Sequence, residues 1–348
     1  MSQLDAEIRE QPEALQRLLD AELGNVDRLG KLMRRDEITS VVMVARGSSD
    51  NAARYAQYLF GAHHGLSVAL AAPSLITLYE RAPRMDGALV IGVSQSGRSP
   101  DVVGVVQAAR DQGRPTLAVT NEPDSPLAHA AADVLGLHAG EERSVAATKT
   151  YTCSLAALAL VSAALEEPNA RRERLDALRA APEAVGAAVA SSAERAGQFD
   201  RYRYMGNCAV VGRGFNYSTA FEIALKMKEL CGVIAEPYSP PDLIHGPIAA
   251  ISEGFPVILV APDEPSIASI RELLAPLEKH RAELVVISGA QDLLTRARVA
   301  FPLTVQPEPW LTPLVAVVPG QIMSARLVAE QGADPDRPRG LTKVTETR

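Results

Sequence analysis

The sequence predicts an α/β protein built as two similar halves, each a mostly parallel sheet flanked by helices. Three observations lead there. Short β-branched runs alternate with helix-periodic stretches along most of the chain, and near-continuous apolar strands separated by helices belong to parallel sheets covered on both faces. The alternation then restarts beyond residue 198, after a segment rich in Ala, Glu and Arg. The length, 348 residues, exceeds a usual single domain, so two domains of ordinary size are expected.

Taken in order, Leu15, Leu18, Leu19, Leu23, Val26 and Leu29 recur close to the helical period ahead of the basic stretch 31–35, which predicts one or two helices over residues 5–34. Strands follow at 40–45, 67–71, 88–93, 116–120 and 134–138, with helices near 50–63, 100–112 and 147–165. Residues 166–198 read as a long surface helix leading out of the first half. The second half offers strands at 209–212, 257–261, 284–287 and 301–305, and helices near 217–231, 265–279 and 311–331. Val44-Ala45-Arg46-Gly47 and Val211-Gly212-Arg213-Gly214 form a weak internal repeat, each opening a helix. The expected organisation is a helical segment 1–34, a first domain 35–168, a connecting helix 169–198, a second domain 199–333 and a C-terminal segment 334–348.

Composition excludes several classes. Hydrophobic residues at 47% and charged residues at 22% describe a packed chain rather than a disordered one. With 35 Lys plus Arg against 42 Asp plus Glu, the formal charge is -7, which leaves no basic stripe for nucleic acid but allows a local site for a small anion. Cys153, Cys208 and Cys231 are too few and too scattered for a disulfide framework or a zinc site. Asp5, Glu7, Glu10 and Glu13 do not suit a secretory signal, so a cytoplasmic location is expected. The apolar run 155–165, broken only by Ser162, falls far short of the ~20 residues that span a bilayer and reads as a buried core helix. His63, His64, His129, His138 and His280 form no metal-ligand pattern, so no metal and no cofactor are inferred.

The chemistry concentrates in six segments. Ser94-Gln95-Ser96-Gly97-Arg98-Ser99-Pro100 lies between a predicted strand and a predicted helix, where free N–H groups, a helix start and three hydroxyls suit phosphate. Ser99 with Pro100 is equally a plain helix cap, although Ser94, Gln95 and Ser96 exceed what a cap uses. Gly47-Ser48-Ser49-Asp50 follows the first strand and either faces the same crevice or caps its own helix; 144–150 carries the same ambiguity. Glu222, Lys226 and Glu229, spaced four and three apart, share one helix face. They form either a solvated salt-bridge stripe or a crevice lining in which a carboxylate beside a lysine acts as a base. His245 sits in the rigid segment Pro240-Pro241-Asp242-Leu243-Ile244-His245-Gly246-Pro247, either structural or aimed as a proton carrier. The polar C-terminus with Lys343 is either a frayed tail or an ordered strap.

Together, and in this order, Ser94-Gln95-Ser96-Gly97, residues 144–149, residues 222–229 with His245-Gly246-Pro247, and Pro338-Arg339-Gly340-Leu341-Thr342-Lys343 resemble the isomerase portion of glucosamine-6-phosphate synthase. They are more closely similar to stand-alone relatives, the glucosamine-6-phosphate deaminases and sugar-phosphate isomerases of the sugar isomerase (SIS) family, over nearly the whole chain. The resemblance implies two tandem SIS-type domains, each a flavodoxin- or Rossmann-like three-layer sandwich. It implies phosphate held by Ser94, Gln95, Ser96 and Ser99, with Ser48 and Ser49 close by and Val145 and Ala147 in the substrate-binding set. Glu229 would move the proton between C1 and C2, supported by Lys226 and Glu222. His245, given by the partner subunit of a homodimer, would help open the sugar ring, and Lys343 would meet the open-chain carbonyl.

Three departures from the synthase are visible. The chain starts Met1-Ser2-Gln3 and reaches its first predicted strand at residue 40, so a glutaminase domain and glutamine-dependent synthesis are not expected. Arg46 replaces a small residue and Ala147 a serine, both as in the stand-alone relatives, and Gly340 replaces an asparagine. The leading expectation is isomerisation or deamination of an amino-sugar 6-phosphate. The alternatives are a dehydratase or lyase acting on N-acetylglucosamine 6-phosphate through the same C2 proton, and a phosphosugar-binding module without catalysis.

Overall fold

The computed structural model describes residues 1–34 and 38–343. The expected domain boundary at residue 35 and the tail residues 344–348 lie outside them. The chain divides into two compact units. One comprises Glu13–Glu142, Lys149–Ala180 and the chain from Thr342; the other comprises Met1–Pro12, Arg143–Thr148 and Ala181–Leu341.

The first unit carries β1 (Ser40–Val44), β2 (Ser67–Leu70), β3 (Ala88–Val93), β4 (Thr116–Thr120) and β5 (Asp133–Gly136). All pairings are parallel, in the order β2-β1-β3-β4-β5. Val42 stands opposite Ala69 on one side and Val90 on the other. Every residue of β3 and β4 is buried, as the continuous apolar runs require of strands covered on both faces. The second unit carries β6 (Asn207–Val211), β7 (Ile234–Tyr238), β8 (Pro256–Ala261), β9 (Glu283–Ser288) and β10 (Val299–Pro302), again parallel, in the order β10-β9-β8-β6-β7. Counted along the chain, both sheets share the order second-first-third-fourth-fifth, so the weak sequence repeat marks a repeated topology. That order puts a switch point between the first and third strands of each set, where ligands of such sheets sit.

Three elements differ from the sequence expectation. β7 carries Glu236 and Pro237 and was not expected as a strand; it is an edge strand, where a missing N–H is tolerated. The single helix expected over 166–198 is two, Pro168–Arg179 and Ala181–Arg195. Pro182 explains the break, since its ring and absent N–H cannot continue a helix from the preceding turn, and the boundary between the two units falls at the same place. The N-terminal segment is likewise three helices, Gln3–Arg9, Gln11–Glu22 and Val26–Arg34.

The helix Lys149–Leu165 is almost wholly buried, as its Ala- and Leu-rich run demands. The longer apolar helix Thr312–Glu330 is the one expected near 311–331, with Pro319, Gly320 and Gln321 interrupting its apolar run. With the turn from Pro309 it is long and apolar enough to cross a membrane, but 89% of that stretch is buried inside the protein. It is a core helix.

Candidate active site

In the first unit, β1 and β3 end side by side and each opens a helix. Gly47, at φ +57, precedes the helix Ser48–His64, which places Ser48 and Ser49 in its first turn. After β3 the chain turns through residues 94–99 into the helix Pro100–Asp111. Gly97 is required there: its φ is +60 and an added Cβ would lie 2.0 Å from Ser125 Oγ. The turn is tied down through its carbonyls, Gln95 accepting from Asn121 N–H at 3.1 Å and Gly97 from Leu127 N–H at 3.0 Å. Ser94 is buried, and its hydroxyl accepts from Gly97 N–H at 3.2 Å.

Ser99 bears on the capping reading of this turn. It occupies the N-cap position, but its side chain makes no capping hydrogen bond, and its Oγ is buried without a partner. Capping therefore does not account for this hydroxyl, and a buried hydroxyl left unpaired is costly. Beside it, the Arg46 guanidinium binds the buried carboxylate of Asp101 in the first helical turn, its Nε at 3.1 Å. This ion pair was not foreseen, because the partners are 55 residues apart.

The described part of the C-terminus ends in the same unit. Lys343 Nζ lies 2.9 Å from Glu142 Oε2. The Glu142 side chain is fully buried and also accepts from Thr150, from N–H at 3.2 Å and from Oγ1 at 2.7 Å. Lys343 is thus held by a carboxylate that the sequence reading did not single out.

In the second unit, β6 leads through Gly212-Arg213-Gly214 into the helix Tyr217–Cys231. Glu222, Lys226 and Glu229 do share one face, but it is not a solvated stripe. The side chains of Glu222 and Lys226 are 0% and 1% exposed, whereas Glu229 is 25% exposed. Lys226 Nζ bridges Glu222 Oε1 at 3.4 Å and Glu229 Oε2 at 2.6 Å. The lysine is a buried centre, and Glu229 is the member that reaches the surface.

Val145 and Ala147 belong to this second unit, since residues 143–148 pack with it rather than with the first sheet. Ser144, Ala146 and Thr148 point inward while Val145 and Ala147 remain half-buried. Ala146 enters one apolar cluster with Leu230, the residue after Glu229, so the structure brings this segment to the end of the helix that carries Glu229. His245 caps the short helix Pro240–Ile244, accepting no burial: the residue is exposed, and its N–H donates to Pro241 O at 3.0 Å.

A model of the SIS domain matches residues 36–164 and 205–331. The chain belongs to the SIS domain family. The family expected from the motifs is the family found. This SIS protein is similar to the isomerizing glutamine–fructose-6-phosphate aminotransferase of Aquifex aeolicus (strain VF5), 31% identical over 342 residues, covering 97% of this chain and 56% of that protein. The corresponding protein of Thermus thermophilus is 32% identical, covering 97% and 57%. The chain therefore spans about half the length of these curated relatives. Among solved structures, a candidate phosphosugar isomerase from Silicibacter pomeroyi DSS-3 has a TM-score of 0.84 at 34% identity, covering 97% of this chain and 100% of that one. The C-terminal domain of glucosamine-fructose-6-phosphate aminotransferase from Francisella tularensis reaches 0.88 at 24% identity, covering 97% and 98%, and speaks for the fold.

The second switch point of the SIS protein is filled differently from the first. After β8 comes Pro262-Asp263-Glu264 instead of a serine-rich turn. Glu264 is 5% exposed, and Ser266 Oγ donates to its Oε1 at 2.6 Å above Gly214. Once ionised, a carboxylate there would repel a phosphate. Burial pushes its carboxyl up from the usual glutamate range to about 7, against the opposing pull of hydrogen bonds from Ser266 and Asn216. The folded protein thus prefers Glu264 protonated, and its contribution to stability is full below about pH 4.5 and lost as the pH rises through about 7. Between pH 5 and 8, wild type should lose about 2.5 kcal/mol relative to Glu264→Gln, since a small part of the effect of a shift of roughly 2.5 pH units is already present at pH 5. Urea unfolding of both proteins at the two pH values measures this, and parallel pH profiles would refute it.

Proposed function

We propose that this SIS protein acts on an amino-sugar 6-phosphate of the glucosamine 6-phosphate type, isomerising and deaminating it. The observation that carries the reading is the buried triad: Lys226 and Glu222 are shut inside while Glu229 faces outward, as a positioned base must. The turn 94–99 with the unpaired Ser99 Oγ takes the phosphate, joined by Ser48 and Ser49. His245, exposed on its turn, assists ring opening in a second copy of the chain. Glu229 removes the C2 proton of the open-chain sugar, and the electron pair moves to the C1 carbonyl oxygen. Lys343 is assigned to that oxygen, where a cation stabilises the developing negative charge. A proton returned to C1 leaves an imine at C2, which water cleaves to ketose phosphate and ammonia. The names of the relatives fit this substrate class, being an isomerizing glutamine–fructose-6-phosphate aminotransferase and a candidate phosphosugar isomerase.

The test is to incubate the protein with glucosamine 6-phosphate and, separately, its N-acetyl form, following ammonia, ketose phosphate and ultraviolet absorbance. Ammonia and ketose phosphate from the free amine alone are expected. A new chromophore from the acylated sugar alone would instead establish dehydration at C3, and binding without any product would leave a phosphosugar-binding module.

A further inference from the structure

The N-terminal helix Gln3–Arg9 contributes nothing to the chemistry above, yet its inner face is buried in the second unit. Leu4, Glu7 and Ile8 are its buried residues. Leu4 and Ile8, one turn apart, join Ala146, Leu230, Ala325 and Val328 in a single apolar cluster. Glu7 lies on the same face at 0% exposure, where a carboxylate is expensive unless it is hydrogen-bonded.

Its partners explain the position. Glu7 Oε1 accepts from the backbone N–H of Arg143 at 2.5 Å, and Oε2 accepts from that of Ser144 at 3.2 Å. Gln3 Nε2, one turn earlier, donates to Oε1 at 3.1 Å. Residues 143–148 have no regular secondary structure, so their amides need acceptors from elsewhere, and Glu7 supplies two of them. The helix is itself anchored: Asp336 accepts from Gln3 and Leu4 N–H, both at 2.8 Å, and Gln11, which opens the next helix, donates from Nε2 to Ile8 O at 2.9 Å and to Gln321 Oε1 at 2.8 Å in the core helix Thr312–Glu330.

We propose that Glu7 is a positioning residue, holding residues 143–148 so that Val145 and Ala147 present the sugar to Glu229. This rests on the reading that the segment faces the sugar. The line of force is short. Glu7 fixes the amides of Arg143 and Ser144, Ala146 follows two residues later and packs with Leu230, and Leu230 adjoins Glu229. A displacement of about 1 Å in a positioning element costs on the order of 10²-fold in rate.

The experiment compares Glu7→Ala, Glu7→Gln and Glu7→Asp in the full chain, measuring kcat and KM for glucosamine 6-phosphate, the inhibition constant of inorganic phosphate, and Tm. Glu7→Ala should lower kcat about 10- to 100-fold while inorganic phosphate binds as in wild type. Glu7→Gln keeps an acceptor at the same reach and should recover most of that loss. Glu7→Asp keeps the charge but shortens the reach, and should fall between; it also serves if Glu7→Ala fails to fold. A lowered Tm with unchanged kcat in the folded variants would make Glu7 merely structural and overturn the proposal. Ala147→Phe separates the underlying reading, since a ring there should block the sugar. If Ala147→Phe turns over normally, the segment does not face the sugar and the proposal falls with that reading. If it is blocked while every Glu7 variant keeps wild-type kcat, the positioning role alone is overturned.

Discussion

Replacing Glu229 with glutamine should leave sugar-phosphate binding close to wild type and lower turnover by about 10²- to 10⁴-fold, the usual worth of a general base. The substitution preserves the shape of the side chain and its capacity to accept from Lys226 Nζ, now 2.6 Å away, but removes the group that takes a proton. Because Glu229 is the exposed end of the triad, the change leaves the buried Lys226–Glu222 contact in place and should cost little stability. Steady-state kinetics with a direct binding measurement check both halves: kcat falls and the dissociation constant does not.

Lys226→Met should act mainly on folding, at a cost of about 3–5 kcal/mol. Methionine matches the lysine stem in length and fills the same space, so packing is largely kept. What is lost is the counter-ion of Glu222, a carboxylate with a fully buried side chain in contact with that ammonium. Leaving a charge buried without its partner is far more costly than the net worth of the pair. Adding Glu222→Gln to Lys226→Met removes the stranded charge and should recover much of the loss, giving a large coupling in a double-mutant cycle. Urea unfolding measures it. A single-mutant cost below about 1 kcal/mol, typical of exposed pairs, would mean the triad is solvated after all.

Much of this was legible in the sequence, for identifiable reasons. Continuous apolar runs between helical stretches gave the two sheets, because parallel strands bury both faces. The turn at 94–99 announced itself by an excess of hydroxyls over what a cap requires, and the Glu222, Lys226, Glu229 spacing fixed a common face. Burial was not legible. Nothing in that spacing distinguishes a salt-bridged surface from a triad whose lysine is 1% exposed, since the answer depends on the neighbours that cover the helix. Nor was the idle Ser99 hydroxyl, because a serine before a proline is compatible with either geometry. Glu7 and Glu142 escaped for another reason: their partners Arg143 and Lys343 are 136 and 201 residues away in the chain, and each glutamate, read locally, is an ordinary acid. β7 escaped because Pro237 forbids the pattern of an interior strand, and only its place at the sheet edge makes it acceptable.

The central claim is that Glu229 removes the C2 proton, and the most direct measurement is hydrogen exchange at that carbon. Glucosamine 6-phosphate incubated in deuterium oxide with wild type should exchange its C2 proton with solvent, followed by proton magnetic resonance. With Glu229→Gln at a concentration that saturates binding, the C2 signal should persist. Exchange by Glu229→Gln at the wild-type rate would contradict the account and return the triad to a structural role.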